Sequence, residues 1–455
     1  MPPKRRKGGV VVPMGLSMSA RRNARRGYRV ACACVVAFGF ASTAAAQTVT
    51  APPVSSDASN PAAPPTRSDV EHAMPLGSWL VSPSMFLGGI YDSNVNQSAT
   101  NKISSWGVRA TPSFLAQTTD GILKSTLYGL ADVRAYTASG ASGADTVTAN
   151  AGALEEYDPT PDLFIHGQAD YLRQKDLFSS LGVESSTTSL NSTGVGLAPS
   201  VNPVSYNQFS GTAGAQKDFG RAFVGLDGSA VNISYDHTGA VSPNGTTYTG
   251  TGKGGFWFLP QFYVYTEGAL DTRTYATSSF NSSGYRALAG VGSEQIGLFR
   301  GEAYGGYQAE NFRTRALGAS NGTTNSTLFG SQLHYYPQPY IDLSANVTET
   351  IGVSQAATAS GAAAGDSTKV LSAIGQGAYT LSQIWGFTGR GGYIHTTYIN
   401  NPRRDDAWTL GGTLSYSVWR DFKLTLDYQY LSLSSNVAQQ SLGRNVVTFG
   451  VAWSY

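Results

Sequence analysis

The strongest constraint on the fold is an alternation of apolar and polar residues that recurs from residue 77 to the end of the chain. In the last segment the alternate positions Phe449, Val451, Trp453 and Tyr455 are apolar or aromatic, and the residues between them are small. Because successive side chains of a strand point to opposite faces, the pattern predicts a strand with one apolar face. Similar alternating segments precede it along the chain. In one of them the charged residue Glu349 occupies an otherwise apolar face.

Short turns and longer connections alternate between these segments. Eight short turns, one of them centred on Ser293–Glu294, carry turn-forming residues, and nine longer connections are rich in Ser, Thr, Asn and Gly. Together they join 18 strands and leave both chain ends on the short-turn side. Soft strand boundaries keep 16 strands as an open alternative. Alternating segments of about ten residues with this loop pattern are typical of transmembrane barrels.

We therefore predict an all-β, antiparallel outer-membrane barrel with short periplasmic turns and longer extracellular loops. A soluble all-β sandwich or propeller is the alternative, but we find no strong repeat per blade. Aromatic residues beside the short turns predict a periplasmic girdle, since amphipathic rings prefer the membrane interface. Its predicted members are Tyr157, Phe219, Trp257, Phe258, Tyr336, Tyr340, Trp385, Trp419 and Phe422. The aromatic last strand, with Phe449, Val451, Trp453 and Tyr455, is the expected signal for the barrel-insertion machinery.

The N-terminal segment differs in composition from the rest. Residues 1–46 contain nine of the 31 Lys and Arg residues, an apolar run and a small-residue cleavage site at Ala44 to Ala46, before Gln47. This arrangement predicts a cleaved signal peptide, and a membrane anchor is the alternative, although the apolar run is short for a spanning helix. Residues 47–76, rich in Pro, Ala and Ser, predict a disordered periplasmic linker before a barrel at 77–455.

Charge and cysteine content exclude several function classes. Without residues 1–46 the chain has 22 basic and 29 acidic residues, a net charge of −7, so nucleic acid is not expected as a partner. Both cysteines lie in the predicted signal, so we expect no disulfide, thiolate metal site or cofactor. The histidines show no metal-ligand spacing, and no catalytic motif is found. The segment Ser434–Asn436 resembles a phospholipase pair only faintly, so we do not expect an enzyme.

Ionisable residues on the polar faces of the predicted strands are the candidate site. Charges at membrane depth must face water or each other, so these residues either form ion pairs between strands or line a selectivity region. The candidates are Arg109, Asp132, Arg134, Glu267, Asp271, Arg273, Arg300, Glu302, Glu310, Arg390, Lys423 and Asp427. Among them we favour Arg134, Arg273 and Arg300 with Glu267 and Glu302.

Several short motifs carry a resemblance to a known family. They are Gly88–Gly89, Tyr91–Val95, Ser283–Tyr285, Gly301–Glu302, Gly305–Tyr307 and the run from Leu414 to Tyr430. Across residues 77 to 455 the sequence resembles the putative β-barrel porin type 2 family of Gram-negative bacteria. The resemblance implies a barrel in the bacterial outer membrane, in contact with lipid and lipopolysaccharide.

Two functions follow as expectations. The first is a water-filled, porin-like channel for small hydrophilic solutes, in which the connection at 174–203 either folds inward or covers the barrel from outside. The second is an accessory barrel of an envelope or exopolysaccharide-export assembly, with the linker as a docking tether. The sequence leaves open whether the partner is a second copy of the chain or a component of polysaccharide export.

Overall fold

The computed structural model describes residues 73–118, 121–138, 145–174, 195–196, 205–236, 244–276, 278, 281–312, 323–338, 340–354, 367–382, 384–399 and 402–455. The predicted signal peptide and most of the predicted linker lie outside these residues, as does most of the connection at 174–203. Within the described part of the chain, no helix is long and apolar enough to cross a membrane.

The described residues form one sheet of 20 strands. They are β1 (Met74–Leu76), β2 (Trp79–Asp92), β3 (Ser105–Thr118), β4 (Leu123–Tyr136), β5 (Thr146–Thr160), β6 (Leu163–Gln174), β7 (Val195–Gly196), β8 (Tyr206–Asp218), β9 (Ala222–Tyr235), β10 (Gly245–Leu259), β11 (Phe262–Tyr275), β12 (Ser282–Ile296), β13 (Phe299–Phe312), β14 (Thr323–Gln338), β15 (Ile341–Ser354), β16 (Ser367–Thr380), β17 (Trp385–Tyr398), β18 (Arg404–Trp419), β19 (Phe422–Ser435) and β20 (Leu442–Ser454). All except β1 and β7 are long strands that pair antiparallel with their neighbours along the chain.

The sheet closes on itself where the first long strand meets the last. β2 pairs with β20 from Ser84 opposite Ser454 to Asp92 opposite Val446. Closure gives every long strand two neighbours, so the wall is an antiparallel barrel of 18 strands and the prediction of 18 rather than 16 is confirmed. A closed barrel satisfies its backbone hydrogen bonds internally, which a wall in lipid requires.

Two short strands lie outside this simple order. β1 pairs with the start of β2, so the sheet already includes Met74–Leu76, which the sequence placed in the linker. β7, from the connection between β6 and β8, pairs parallel with the end of β15. The hydrogen-bonded register between β14 and β15 ends at Gly330 and Thr348, so β7 lies beside the part of β15 that β14 leaves unpaired.

We call the two rims of the barrel the turn end, with the short connections, and the loop end, with the longer ones. Most predicted turns lie where the strands end, but the turn predicted at Ser293–Glu294 is wrong. β12 continues through both residues to Ile296, and the chain turns at Gly297–Leu298. Gly297 has a φ of 59°, a conformation that glycine adopts without the steric cost of a Cβ atom, and it lies three residues after Glu294 of the predicted turn.

The outward face of the wall is apolar. Large side chains such as Leu226, Leu270, Trp408 and Leu410 are 58–66% exposed on alternate positions of their strands. On the last strand Phe449 and Val451 are 51% and 41% exposed, whereas the intervening side chains face the interior. This surface suits lipid contact, as the alternation predicted.

Two residues of the predicted girdle face inward instead. Trp257 is only 6% exposed and packs with Tyr263 inside the barrel, and Tyr336 lies on the same inward face as His334. Regular alternation gives both residues an inward face, because Trp257 follows the outward Phe256 and Tyr336 follows the outward Tyr335. The assignment of Trp257 and Tyr336 to the girdle is therefore wrong.

A second set of aromatic side chains marks the loop end on the outward face. The ring pairs Tyr91–Trp106, Tyr171–Phe209 and Tyr393–Trp408 have centroid distances of 5.0, 4.9 and 4.4 Å. Aromatic rings concentrate at both interfaces of a membrane. The outward wall therefore has an aromatic band towards each end.

The exception Glu349 also faces outward. Its carboxylate lies 2.9 Å from the Lys369 ammonium on the neighbouring strand β16. Lys369 is two positions from direct register with Glu349, since it lies opposite Ile351. A charge on an apolar face is costly unless it is paired, and this pair near the loop end supplies the partner.

Candidate functional site: the barrel lumen

The first group of candidate residues forms a buried cluster on the inward faces of β3 and β4. The Arg109 guanidinium Nε lies 2.9 Å from Asp132 Oδ1, and Arg134 donates to Asp132 Oδ2 at 2.6 Å. Arg109 and Asp132 are 3% and 0% exposed, so the pairs are shielded from bulk water. Asp132 thus holds two guanidinium groups in the loop-end third of the lumen.

A further ion pair joins the first and last strands of the barrel. Arg444 on β20 donates to Asp92 on β2 through Nε and Nη2, at 3.0 and 2.7 Å. Asp92 also accepts hydrogen bonds from the Asn94 backbone N–H at 2.9 Å and from the Tyr136 hydroxyl at 3.3 Å. The sequence did not indicate this pair, because Asp92 and Arg444 become neighbours only when the barrel closes. Together Arg109, Arg134, Arg444, Asp92 and Asp132 form what we call the arginine cluster.

The connection 93–104 folds over this cluster and narrows the mouth of the barrel. Asn94 is fully buried and donates through Nδ2 to the carbonyl oxygens of Ser98 at 2.9 Å and Gly443 at 3.3 Å. Ala99 packs against a buried apolar cluster that includes Ile394 and Leu431. These two residues share the inward faces of β17 and β19 with Arg390 and Asp427. The connection is therefore inside the lumen rather than above it.

A second group of candidates lies on β11, β12 and β13. Arg273 is 3.3 Å from Glu310 and 2.9 Å from Asp271, and both Arg273 and Glu310 are buried. Glu267 accepts a hydrogen bond at 2.8 Å from Arg286, a lumen residue that was not predicted from the sequence. Arg286 is in phase with Leu288 on the inward face of β12, so the alternation of that strand could have identified it. In this sector every candidate carboxylate except Glu302 contacts an arginine.

Glu302 lies in an aromatic part of the wall. It accepts hydrogen bonds from the hydroxyl groups of Tyr263 at 3.0 Å and Tyr265 at 2.7 Å, and lies 3.6 Å from the Lys253 ammonium. The same ammonium lies 3.9 Å from the centre of the Tyr265 ring, within cation–π range. Arg300 lies near the turn end of β13 and is exposed, far along the strands from Arg134 and Arg273.

The remaining candidates lie on β17 and β19. Arg390 donates to Asp427 Oδ1 at 2.6 Å, and the Thr413 hydroxyl on the intervening strand donates to the same oxygen at 2.7 Å. Lys423 also lies on the inward face of β19, close to the turn end. The structure thus brings Arg390 and Asp427 together across one strand and leaves Lys423 apart from them.

The wall formed by β5, β6, β8 and β9 has a different charge pattern. Two carboxylates on its inward faces, Asp170 and Asp227, lie away from both rims. Asp170 accepts a hydrogen bond from the Tyr128 hydroxyl, and Asp227 lies 3.1 Å from His166. Asp227 is 42% exposed to the lumen. A phenol and an imidazole, rather than guanidinium groups, hold these carboxylates. We call Asp170 and Asp227 the acidic wall; neither residue was predicted from the sequence.

The other predicted sites have different outcomes. Within the described residues no group of three or more His, Cys, Asp or Glu side chains is placed to hold a metal ion. At the end of β20, Trp453 lies opposite Phe422, and the Tyr455 backbone N–H donates to the Pro83 carbonyl at 3.1 Å. The predicted cleavage residues Ala44, Ala46 and Gln47 lie outside the described residues.

A comparison with known proteins identifies the family of the chain. The family model Putative beta-barrel porin 2 matches residues 72–455. No curated protein matches the sequence. Among solved structures, a BenF-like porin from Pseudomonas fluorescens Pf-5 is similar at a TM-score of 0.44 and 9% identity, over 82% of this chain and 99% of that chain. The outer membrane protein opdK from Pseudomonas aeruginosa is similar at a TM-score of 0.40 and 10% identity, over 82% and 98%.

The family match covers all of the described barrel, and the fold has the closed wall, apolar outer surface and charged lumen of a membrane-spanning barrel. The chain therefore belongs to the Putative beta-barrel porin 2 family and is a bacterial outer-membrane protein.

Proposed function

We propose that the barrel is a water-filled channel that lets small hydrophilic solutes cross the outer membrane and prefers cations to anions. Eighteen strands spaced about 4.8 Å apart and tilted by about 40° enclose a cylinder roughly 36 Å across between backbones. Barrels of this size have room for an aqueous channel after side chains fill part of the lumen. The connection 93–104 and the arginine cluster reduce that width near the loop end.

The observation that carries the preference for cations is the charge difference between the two sides of the lumen. The arginine cluster is nearly neutralised by its own carboxylates, and Arg273, Arg286 and Arg390 each contact a carboxylate. The acidic wall has no guanidinium contact of this kind among the described residues. A carboxylate that faces water in a confined passage raises the local concentration of cations, and Asp227 is 42% exposed to the lumen.

The ion pairs and the channel are compatible roles for the candidate residues. A buried guanidinium–carboxylate pair contributes little net charge at a distance, but it rigidifies the wall and sets the local field direction. We propose that Arg109, Asp132, Arg134, Asp271, Arg273 and Glu310 shape the narrow part of the lumen. Asp227 then dominates the selectivity, with Asp170 beside the Tyr128 hydroxyl as the second carboxylate of the acidic wall.

The test is single-channel recording of the barrel, refolded from residue 47, in a planar bilayer with a KCl gradient. Steady conductance steps are expected, with a reversal potential on the cation-selective side. The double variant Asp170→Asn/Asp227→Asn is expected to move the reversal potential towards zero. Asp421→Asn, in an exposed turn beside Arg420, is the matched control and is expected to leave it unchanged.

Two outcomes would contradict the proposal in different ways. Conductance with anion selectivity would refute the role of the acidic wall but leave the channel. Folded, inserted barrel without conductance would refute the channel itself, and the accessory role in an envelope or export assembly would become the better hypothesis.

A further inference from the structure

A polar trio on the outward face of β17 and β18 has the geometry of a catalytic triad. The His395 Nδ1 atom lies 2.8 Å from Asp406 Oδ1, and the His395 Nε2 atom lies 3.2 Å from the Thr397 hydroxyl oxygen. The Tyr393 hydroxyl donates to the same Asp406 oxygen at 2.6 Å. A hydroxyl, an imidazole and a carboxylate are thus connected in series, which is the arrangement that activates a nucleophile.

The hydrogen bonds also favour the required tautomer. Asp406, with no proton to give, accepts from His395 Nδ1–H, which leaves the Nε2 lone pair directed at the Thr397 hydroxyl. His395 and Asp406 are 33% and 42% exposed, so the trio is accessible from outside the barrel. We infer that Thr397 is a nucleophile, His395 its general base and Asp406 the group that orients the imidazole.

The position of the trio selects the substrate class. The inward residues of β17, such as Ile394, are buried in the lumen, so Thr397 and His395 face the membrane side of the wall. The ring pair Tyr393–Trp408 is one outward position closer to the membrane centre, which is about 5 Å along the barrel axis. Since such rings lie at the headgroup boundary, the trio lies in the headgroup layer, next to the acyl esters of lipids. The geometry points to hydrolysis of an acyl ester of an outer-leaflet lipid.

A cation for the developing oxyanion is also nearby. Arg404, on the outward face of β18, is the direct cross-strand partner of Thr397. Cβ atoms of such partners are about 5 Å apart, so a guanidinium there can reach a carbonyl oxygen bound to Thr397. Lys369, the partner of Glu349, lies opposite Thr397 on the other neighbour, β16.

The proposed reaction needs only water as a co-reactant. Thr397 Oγ attacks the ester carbonyl carbon while its proton passes to His395 Nε2. The carbon–oxygen bond to the alcohol then breaks, and the alcohol oxygen takes the proton from His395, leaving an acyl-threonine. A water molecule, deprotonated by His395, attacks the acyl-threonine, and Thr397 recovers the proton as the fatty acid leaves.

The experiment measures release of fatty acid by the refolded barrel in detergent micelles. One arm contains phospholipid and the other contains lipopolysaccharide, and mass spectrometry identifies the released acid in each. Release in at least one arm is expected. Thr397→Val should lower it at least about 100-fold and Thr397→Ser should retain it, because only the serine keeps the nucleophile. Thr274→Val, on the outward face of β11, is the matched control.

Folding is checked by the shift in gel mobility between heated and unheated samples. Folded wild-type barrel that releases no fatty acid in either arm would overturn the inference. Equal rates for wild type and folded Thr397→Val would overturn it as well, since the trio would then be a hydrogen-bonded feature of the rim. None of these variants touches the lumen, so channel conductance is expected to be unchanged.

Discussion

The pair Asp92–Arg444 closes the barrel, and its removal is the most informative test of the lumen energetics. Asp92 is fully buried and accepts hydrogen bonds from Arg444, the Asn94 backbone and Tyr136. Asp92→Ala would leave a buried guanidinium without this carboxylate. Breaking one partner of a buried pair costs about 3–5 kcal/mol, so the unfolding equilibrium should shift by roughly two to four orders of magnitude.

The double variant Asp92→Leu/Arg444→Met separates the pair from its surroundings. Replacing both charges with apolar groups of similar size removes the uncompensated charge, and such replacements are often neutral. We expect the double variant to lie within about 1–2 kcal/mol of wild type, which gives a large favourable coupling energy in the cycle. The exposed pair Arg420–Asp421 is the control, and Asp421→Ala should change stability by less than about 1 kcal/mol.

The measurement is urea unfolding of the barrel refolded into lipid vesicles, followed by tryptophan fluorescence. A loss below about 1 kcal/mol for Asp92→Ala would show that water reaches the pair and that the cluster is not desolvated. A double variant as unstable as the single one would show that Asp92 acts mainly through Asn94 and the connection 93–104. Excess open-channel noise in Asp92→Ala would support that second explanation.

Three further predictions concern other parts of the molecule. Gly290→Val should destabilise the barrel by about 1–3 kcal/mol, because an added Cβ would lie 2.5 Å from the Tyr265 ring. Gly268→Val, which has open space around the added Cβ, is the control, and urea unfolding compares the two variants. Arg390→Met should cost several kcal/mol by the same method, since Asp427 would lose its buried partner. Mass spectrometry of the protein from outer membranes should give a mature N-terminus at Gln47, and an N-terminus before Ala44 would contradict the predicted cleavage.

The sequence determined the class of fold because strand periodicity is a local property. Alternation over about ten residues, repeated with short and long connections, is sufficient to give the strand number and the faces, as Phe449 and Val451 show. The predicted turn failed at Ser293–Glu294, because β12 continues through a register shift to the left-handed Gly297. Trp257 was assigned to the girdle by its nearness to a turn, although alternation places it inward. The selection of inward charges such as Asp132 and Glu310 followed from the same alternation.

The tertiary structure alone decided which charges meet. Pairing across neighbouring strands depends on register and closure, and neither is encoded in the period of a single strand. Asp92 and Arg444 are at opposite ends of the barrel sequence, and Thr397 reaches a base and a carboxylate only because β17 and β18 align His395 with Asp406. Alternation specifies the face of a residue, whereas the register of the closed sheet specifies its neighbours, because hydrogen bonds between strands fix positions that the local pattern leaves free.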